Sequence, residues 1–255
     1  MKIFNQTTLE FGTPGWKRAL DIGLILLALP LLIPLVLATS AIIRLVSNGP
    51  ILFKQERVGR GGGKFLCFKF RTMFTNANSN SHEGHLRHLI ESDTPMTKLD
   101  TGGDKRIIPF GVFLRATGLD ELPQLINVLL GDMSIVGPRP CLPYEFKYYQ
   151  PAEYERFSVV PGLTGLWQVS GKNRTTFKEM VRLDIEYSRR RSLALDLGII
   201  FKTVPALLAQ VMDTRAKKTE TKAFPIERES ILSPLHRKSL NPDSRPGVAR
   251  TSIAG

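Results

Sequence analysis

Cysteine is scarce in this 255-residue chain: Cys67 and Cys141 are the only two, and they follow no C-x-x-C or zinc-type spacing. That excludes a disulfide framework. With no cleavable signal peptide in view, it predicts reduced thiols in a cytosol-facing protein. Histidine is nearly as sparse, with four residues. Three of these, His82, His85 and His88, recur in "SHEGHLRHLIE", but Leu86 stands where the H-E-x-x-H zinc pattern needs its second histidine. A solvated helix is therefore expected there rather than a metal site. Acidic residues are also in short supply, 23 Asp and Glu against 35 Lys and Arg, for a net charge of +12. Such an excess predicts an anionic partner: nucleic acid, an acidic membrane surface or a phosphorylated substrate. There is no internal repeat and no P-loop, because "GRGGGK" has Val58 where that motif needs Gly and Phe65 where it needs Ser or Thr.

What the chain has in abundance is apolar sequence near its start. Residues 22–43, "IGLILLALPLLIPLVLATSAII", carry no charge. At about 1.5 Å per residue a helix of that length matches a hydrocarbon core of ~30 Å. Pro30 and Pro34 stand one turn apart near its middle, where each removes a backbone donor and invites a bend. Both flanks are basic, with Lys17 and Arg18 before and Arg44, Lys54, Arg57, Arg60 and Lys64 after. The positive-inside tendency then favours one face of the membrane for both ends. A kinked spanning helix is the competing reading, since prolines are tolerated in such helices.

Past the turn signal Asn48-Gly49-Pro50, "ILF" and "KFLCFKF" read as short strands joined by the glycine-rich turn 59–63. Residues 76–104 are polar and expected to form an excursion from the core. Residues 122–130 read as an apolar helix ended by Gly131. "SIVGPRP" (134–140) reads as a strand running into a rigid loop, and "PGLTGLWQVSGKNR" (161–174) as another loop. A charged helix is expected over 176–191. Residues 193–212 are apolar with only Asp196 and Lys202 charged, which favours an interface-lying or core helix over a second span. From Asp213 onward the chain is basic, poor in large apolar residues and expected to be disordered.

The segment "GLDELPQL" sets Asp120 and Glu121 side by side ahead of an apolar run, with Pro123 two residues on. A helix start explains all of it: Asp caps, Glu suits the first turn and Pro is tolerated there. The surroundings point further. A helix N-terminus favours anions, Arg115 lies just upstream, and Arg139 is held between Pro138 and Pro140. Carboxylates among phosphate-binding groups suit Mg²⁺, which takes one or two of them and completes its shell with water and phosphate oxygens. That set of groups fits phosphoryl transfer, in which an Asp can also act as nucleophile.

Four stretches, "KRALDIGL", "FKQERVGRGGGKFLCFKFRTM", "LRATGLDELPQLINVLLGDMSIVGPRP" and "PGLTGLWQVSGKNR", closely resemble, in order, the bacterial sugar transferases. These are the polyprenyl-phosphate hexose-1-phosphate transferases, or monotopic phosphoglycosyl transferases, of exopolysaccharide initiation. The likeness covers residues 17–208, and the chain is expected to be a minimal catalytic form.

The resemblance implies an α+β, mostly helical, membrane-monotopic fold with an N-terminal re-entrant helix-break-helix, interfacial amphipathic helices and a small β element. The expected divisions are a tail over 1–15, the re-entrant helix over 16–47, a cytosolic catalytic domain over 48–212 and a basic tail over 213–255. The implied location is the cytoplasmic (inner) membrane. The implied reaction moves a hexose-1-phosphate, glucose or galactose, from a UDP-sugar to undecaprenyl phosphate and releases UMP. Asp120 would attack the sugar-bearing phosphorus, Glu121 would assist the lipid phosphate, and Mg²⁺ would be held partly by Asp120. Direct transfer, with Asp120 only a metal ligand, is the alternative. Arg115 and Pro138-Arg139-Pro140 match family positions for phosphate and nucleotide. Lys69, Arg71, Thr164 and Gln168 are further candidates for the substrate pocket, while Trp167 reads as a core or interface anchor. Asp184 and Tyr187 match a recurrent D-x-x-Y, as a structural pair or as part of a site. Pro34 takes the place of the family's membrane break, but Ile33 stands where the family often has Ser, and Pro30 adds a second break.

Polysaccharide assembly proteins or a second copy of the chain are further candidate partners. Nucleic acid is not expected, because the basic residues are dispersed and no recognition helix or RNP-type motif occurs. The competing class is a non-enzymatic basic membrane protein that binds anionic lipid or acts as a scaffold for polysaccharide assembly.

Overall fold

A computed structural model describes residues 12–74, 80–96 and 106–223. One compact unit extends to Arg215; the tail expected to be disordered from Asp213 is instead helical over 213–223, and its remainder lies outside the described residues. The elements in chain order are α1 (Gly15–Val46), β1 (Leu52–Val58), β2 (Lys64–Phe70), α2 (Asn80–Ser92), α3 (Gly111–Thr117), α4 (Gln124–Leu130), β3 (Ser134–Val136), β4 (Gly162–Thr164), α5 (Leu166–Val169), α6 (Phe177–Arg190) and α7 (Leu193–Ala223). The architecture is mostly helical with two small sheets.

The apolar run forms α1, a single helix with both Pro30 and Pro34 inside it. Its ends, not its middle, are buried: Lys17, Asp21 and Ile25 near the start, Thr39 and Ile43 near the finish. Between them Leu27 is 80% exposed and Leu31 71%. Both ends are fastened to the same globular unit. Arg18 donates to the carbonyls of Val128 and Leu129, the last turn of α4, where a cation satisfies orphan acceptors and meets the negative end of the helix dipole. Asp21 accepts from the Ser134 hydroxyl and the Ile135 amide, at 3.0 and 2.9 Å. Beyond the other end, Arg71 donates to the carbonyls of Ser47 and Asn48, and Ile43 packs with Phe70, Ile108 and Leu114.

Lys17 is not the solvated flanking charge that the positive-inside argument assumed. It is 2% exposed, with Nζ 2.5 Å from Asp196 of α7 and 2.9 Å from the Tyr187 hydroxyl of α6. Burying an ammonium is tolerable only with a carboxylate and further hydrogen bonds around it. Tyr187 in turn reaches Asp196 at 2.8 Å and the Val136 carbonyl at 3.1 Å. This one cluster therefore ties α1, α6, α7 and β3 together.

β1 and β2 form the expected antiparallel hairpin, with Leu52 opposite Phe70 and Val58 opposite Lys64. β3 and β4 pair in parallel, which brings the Pro-Arg-Pro loop and the "PGLTG" loop side by side. The approach is so close that a Cβ on Gly162 would lie 2.0 Å from the Gly137 nitrogen, and one on Gly165 2.1 Å from the Gly137 oxygen. Glycine is a steric requirement at both points.

A second buried ion pair, Arg156 with Asp184 at 2.5 Å, sits among Tyr149, Phe157 and Phe177 of the main core. Asp184 and Tyr187 therefore do not pair with each other; each anchors a different buried network. α6 begins where Thr176 caps it, in a reciprocal capping box with Glu179. The polar segment around α2 is not wholly an excursion, because Leu86, Leu89 and Met96 enter the main core. Trp167 enters the same core, with its indole nitrogen donating to Thr175.

Substituting Lys17 by Met would leave Asp196 buried without its counter-charge. The expected cost is about 3–5 kcal/mol of stability, measurable by denaturant unfolding in detergent, whereas Lys64→Met, which removes an exposed pair with Glu56, should cost less than about 1 kcal/mol.

Candidate active site

The dyad does not start a helix. Residues Leu119–Glu121 form a separate 3-10 turn between α3 and α4, and α4 begins only at Gln124, with Pro123 at its cap position. The cap positions of the turn and of α4 are Gly118 and Pro123, neither of which offers a side chain to cap with. Neither Asp120 nor Glu121 occupies the cap position that the sequence alone suggested. The turn is made possible by Gly118 at φ 75°, a left-handed conformation that ends α3 and reverses the chain. Leu119 and Leu122, either side of the dyad, pack against the cluster of Ile43, Phe70, Ile108 and Leu114. The apolar neighbours hold the turn down on the core, and the two carboxylates are left half-exposed.

Two lysines act on this pair, one by contact and one through its field. Lys69 of β2 donates to Glu121 Oε1 at 2.8 Å. Lys172, in the 3-10 turn Lys172–Arg174, lies within the electrostatic field of Glu121, Lys69, Asp120 and Arg139. Burial pushes its pKa below the ordinary lysine value, against the pull of the two carboxylates. Its backbone has φ 44°, uncommon for a residue with a side chain and sustained only where the surroundings over-determine it. Sequence reasoning did not single out Lys172. The signal available was a lysine following Gly171 inside a quoted motif, and nothing in it says which side chains the loop will meet.

The remaining candidates divide. Arg139 forms a two-pronged pair with Glu145, at 2.8 and 3.0 Å. Burial works against both charges, yet the mutual attraction holds the Arg139 pKa up and the Glu145 carboxyl below its usual range. The Pro138 carbonyl accepts from Gly162, the Arg139 carbonyl from Arg156 and the Pro140 carbonyl from Arg57. The Pro-Arg-Pro loop is therefore pinned at three successive carbonyls. Arg115 lies at the end of α3, and its carbonyl accepts from Gln210 of α7.

Arg71 and Thr164 are occupied with the fold. Arg71 is buried on the Ser47 and Asn48 carbonyls, and Thr164 shares a 2.8 Å hydrogen bond with Thr203 of α7. Lys69 and Arg71 part company because β2 ends at Phe70 and Arg71, beyond it, turns inward. Gln168 lies beside Gly165, with its buried Oε1 lacking a partner among the described residues.

No cluster of three or more His, Cys, Asp or Glu occurs among the described residues. The donors at the dyad are two adjacent carboxylates. This matches the set Mg²⁺ uses when substrate phosphates and water complete its shell, so the residues present fit that ion.

With this geometry in view, the comparisons with known proteins are decisive about family. The bacterial sugar transferase family matches residues 13–210. The exopolysaccharide production protein ExoY of Sinorhizobium fredii is 39% identical over 191 residues, covering 75% of this chain and 84% of that protein. The UDP-glucose:undecaprenyl-phosphate glucose-1-phosphate transferase of Caulobacter vibrioides is 41% identical over 200 residues, 75% of this chain and 69% of that protein. The undecaprenyl-phosphate galactose phosphotransferase of Salmonella typhimurium is 38% identical over 202 residues, 75% of this chain and 40% of that protein. The chain belongs to the bacterial sugar transferase family.

The Arg139–Glu145 pair has a pH signature. A carboxyl held below its unfolded pKa of about 4.3 stabilises the fold above that value, and the contribution is lost as pH falls through the lower folded value. Arg139→Met should therefore cost about 3–5 kcal/mol at pH 7. The loss should shrink on acidification as Glu145, no longer paired, takes up a proton, and chemical unfolding of both proteins at pH 7 and pH 4 measures the difference.

Proposed function

We propose that this protein transfers a hexose-1-phosphate from a UDP-sugar to undecaprenyl phosphate, giving undecaprenyl-diphospho-sugar and UMP, as the first membrane step of exopolysaccharide synthesis. The observation that carries the reading is the Asp120–Glu121 turn, outside the helix cap positions, bonded by Lys69 and within electrostatic reach of Lys172, in a chain of this family. The relatives' names include both glucose and galactose enzymes, which supports a hexose of this kind as the donor sugar.

In the proposed first step an Asp120 carboxylate oxygen attacks the sugar-bearing phosphorus of the donor. The bond from that phosphorus to the bridging oxygen breaks, and UMP departs with the electron pair. In the second step a phosphate oxygen of the lipid attacks the same phosphorus and restores the Asp120 carboxylate, while Glu121 accepts the proton that the lipid phosphate gives up. Dividing the transfer lets two bulky substrates use one site in turn. Lys69 and Lys172 offset the repulsion between the dyad and a diphosphate, and Arg115, in the last turn of α3, would meet phosphate. Mg²⁺, held by Asp120, would supply further neutralisation of the diphosphate charge.

A monotopic arrangement on the cytosolic face of the inner membrane is part of the same reading. Both ends of α1 are fastened to one globular unit, and the exposed apolar stretch lies between them. Anchored in that way, the ends are best placed on one side of a hydrocarbon layer of ~30 Å, with Pro30 and Pro34 at the turning point. α7 is also long and apolar enough to cross a membrane. However, one of its faces is packed on the protein while Phe201, Val204, Leu208 and Met212 are exposed. That partition suits a helix lying in the interface.

The test is UMP release by detergent-solubilised protein from UDP-glucose and UDP-galactose, with Mg²⁺ and undecaprenyl phosphate. Wild type should release UMP; Asp120→Asn should fall to background and Glu121→Gln should lose about 10²–10⁴-fold. With lipid omitted, intact-mass analysis should find a hexose-phosphate adduct on wild type and none on Asp120→Asn. Lipid-dependent turnover without an adduct would replace the two-step scheme by direct transfer, and no UMP from either sugar would overturn the reading.

A further inference from the structure

The inner face of α7 reads as a ruler laid along the site. Thr203, Leu207 and Gln210 follow one another at helical spacing, and each touches a different site loop. Thr203 bonds Thr164 beyond the "PGL" turn, Leu207 lies against Gly118 beneath the dyad, and Gln210 reaches both the end of α3 and Lys172. At Gln210 the contacts are specific in their polarity. Its Nε2 donates to the carbonyls of Arg115 and Ala116, at 3.2 and 2.9 Å. These belong to the last turn of α3, whose carbonyls have no partner within their own helix. Its Oε1 accepts from Lys172 Nζ at 2.7 Å. Only a side-chain amide of this length offers a donor to one partner and an acceptor to the other.

The contacts join two segments of the site, the end of α3 ahead of the dyad turn and the Lys172 turn. The dyad turn follows the α3 terminus at a left-handed glycine, and Lys172 occupies a left-handed backbone position of its own. We propose that Gln210 is a positioning residue that holds the Lys172 ammonium against the Asp120–Glu121 turn, so that the cation stands where the donor's phosphates arrive. The proposal rests on the transferase reading above. It places the role on the helix whose opposite face carries Leu208 and Met212, 62% and 69% exposed. The residues that meet lipid and the residue that sets the cation thus share one turn and a half of helix.

Gln210→Met keeps the length and removes both polar contacts, while Gln210→Glu keeps an acceptor for Lys172 and removes the donor to the carbonyls. Losing a hydrogen bond to a charged group should lower kcat/KM for the UDP-sugar by about 10- to 100-fold in Gln210→Met. The fall should be in kcat more than in KM, and Gln210→Glu should recover part of it. Lys172→Met should be impaired as well, and adding Gln210→Met to it should cost little more, because the two act through one contact. Hydrogen exchange on the same proteins tests the tether without turnover: Gln210→Met should speed exchange in segments 116–121 and 170–175 and leave the buried β3–β4 pair unchanged. Wild-type kinetics in Gln210→Met, multiplying losses in the double variant, or unaltered exchange in both segments would each overturn the assignment. If wild type released no UMP, the transferase reading would fall on its own, and the exchange result would still decide the tether.

Discussion

Everything else in this fold leans on a lysine that the membrane helix sends into the protein. Lys17 meets Asp196 and Tyr187 in a site closed to solvent, and Asp21, one turn on, takes the Ser134 hydroxyl and the Ile135 amide. Neither charge could be buried alone, since the desolvation of an unpaired ion costs several kcal/mol. The partners come from α6, α7 and the entry to β3, so satisfying two residues of α1 fixes three other elements against it. The parallel β3–β4 pair is then held in place, and the Pro-Arg-Pro and "PGLTG" loops that leave it are set side by side. The seating of α1 and the placement of the loops depend on a single polar cluster.

The site built on this frame is an exercise in charge matching. Two adjacent carboxylates would repel each other and any diphosphate that approached. The fold answers with Lys69 in direct contact with Glu121 and with Lys172 in the electrostatic field of both acids. A different rule governs the Pro-Arg-Pro loop. There Arg139 and Glu145 neutralise each other in two-pronged geometry, and three consecutive carbonyls are pinned by Gly162, Arg156 and Arg57. The first region has cations poised at a half-exposed edge, while the second trades charge for rigidity. Their adjacency follows from the glycines at 137, 162 and 165, which let the backbones approach closer than any side chain would permit.

α7 shows how one amphipathic helix can serve two surroundings. Its inner positions reach the loops of the site, and its outer positions are large and apolar. The same division recurs in α1, where polar and apolar anchors at both ends bracket an exposed greasy middle. In each case the side chains that touch the protein are few and specific. Those that face outward are apolar and interchangeable, as expected of a surface made to meet lipid rather than a shaped partner.

The sequence by itself determined the kinds and approximate limits of the elements that have strong local patterns. The β1–β2 hairpin was legible as short apolar strands around a glycine-rich turn, and α6 as a charged helix over 176–191. The apolar lengths of α1 and of α7 up to Met212 were equally plain. The candidate site was picked out the same way, because an Asp-Glu pair flanked by Arg115 and a Pro-Arg-Pro segment is an unusual local composition. Partnerships were not. Lys17 looked like a solvated flank until Asp196, 179 residues away, proved to be its counter-charge. Asp184 and Tyr187 looked like a pair and belong to different networks, Arg71 looked like a site cation and holds the end of α1, and Lys172 went unnoticed. Asp120 looked like a cap, yet the helix starts four residues later. In each instance the deciding term is a long-range contact that sets the cost of burying a charge. Local propensity cannot specify that cost, because it depends on which distant group the tertiary structure brings within hydrogen-bond reach.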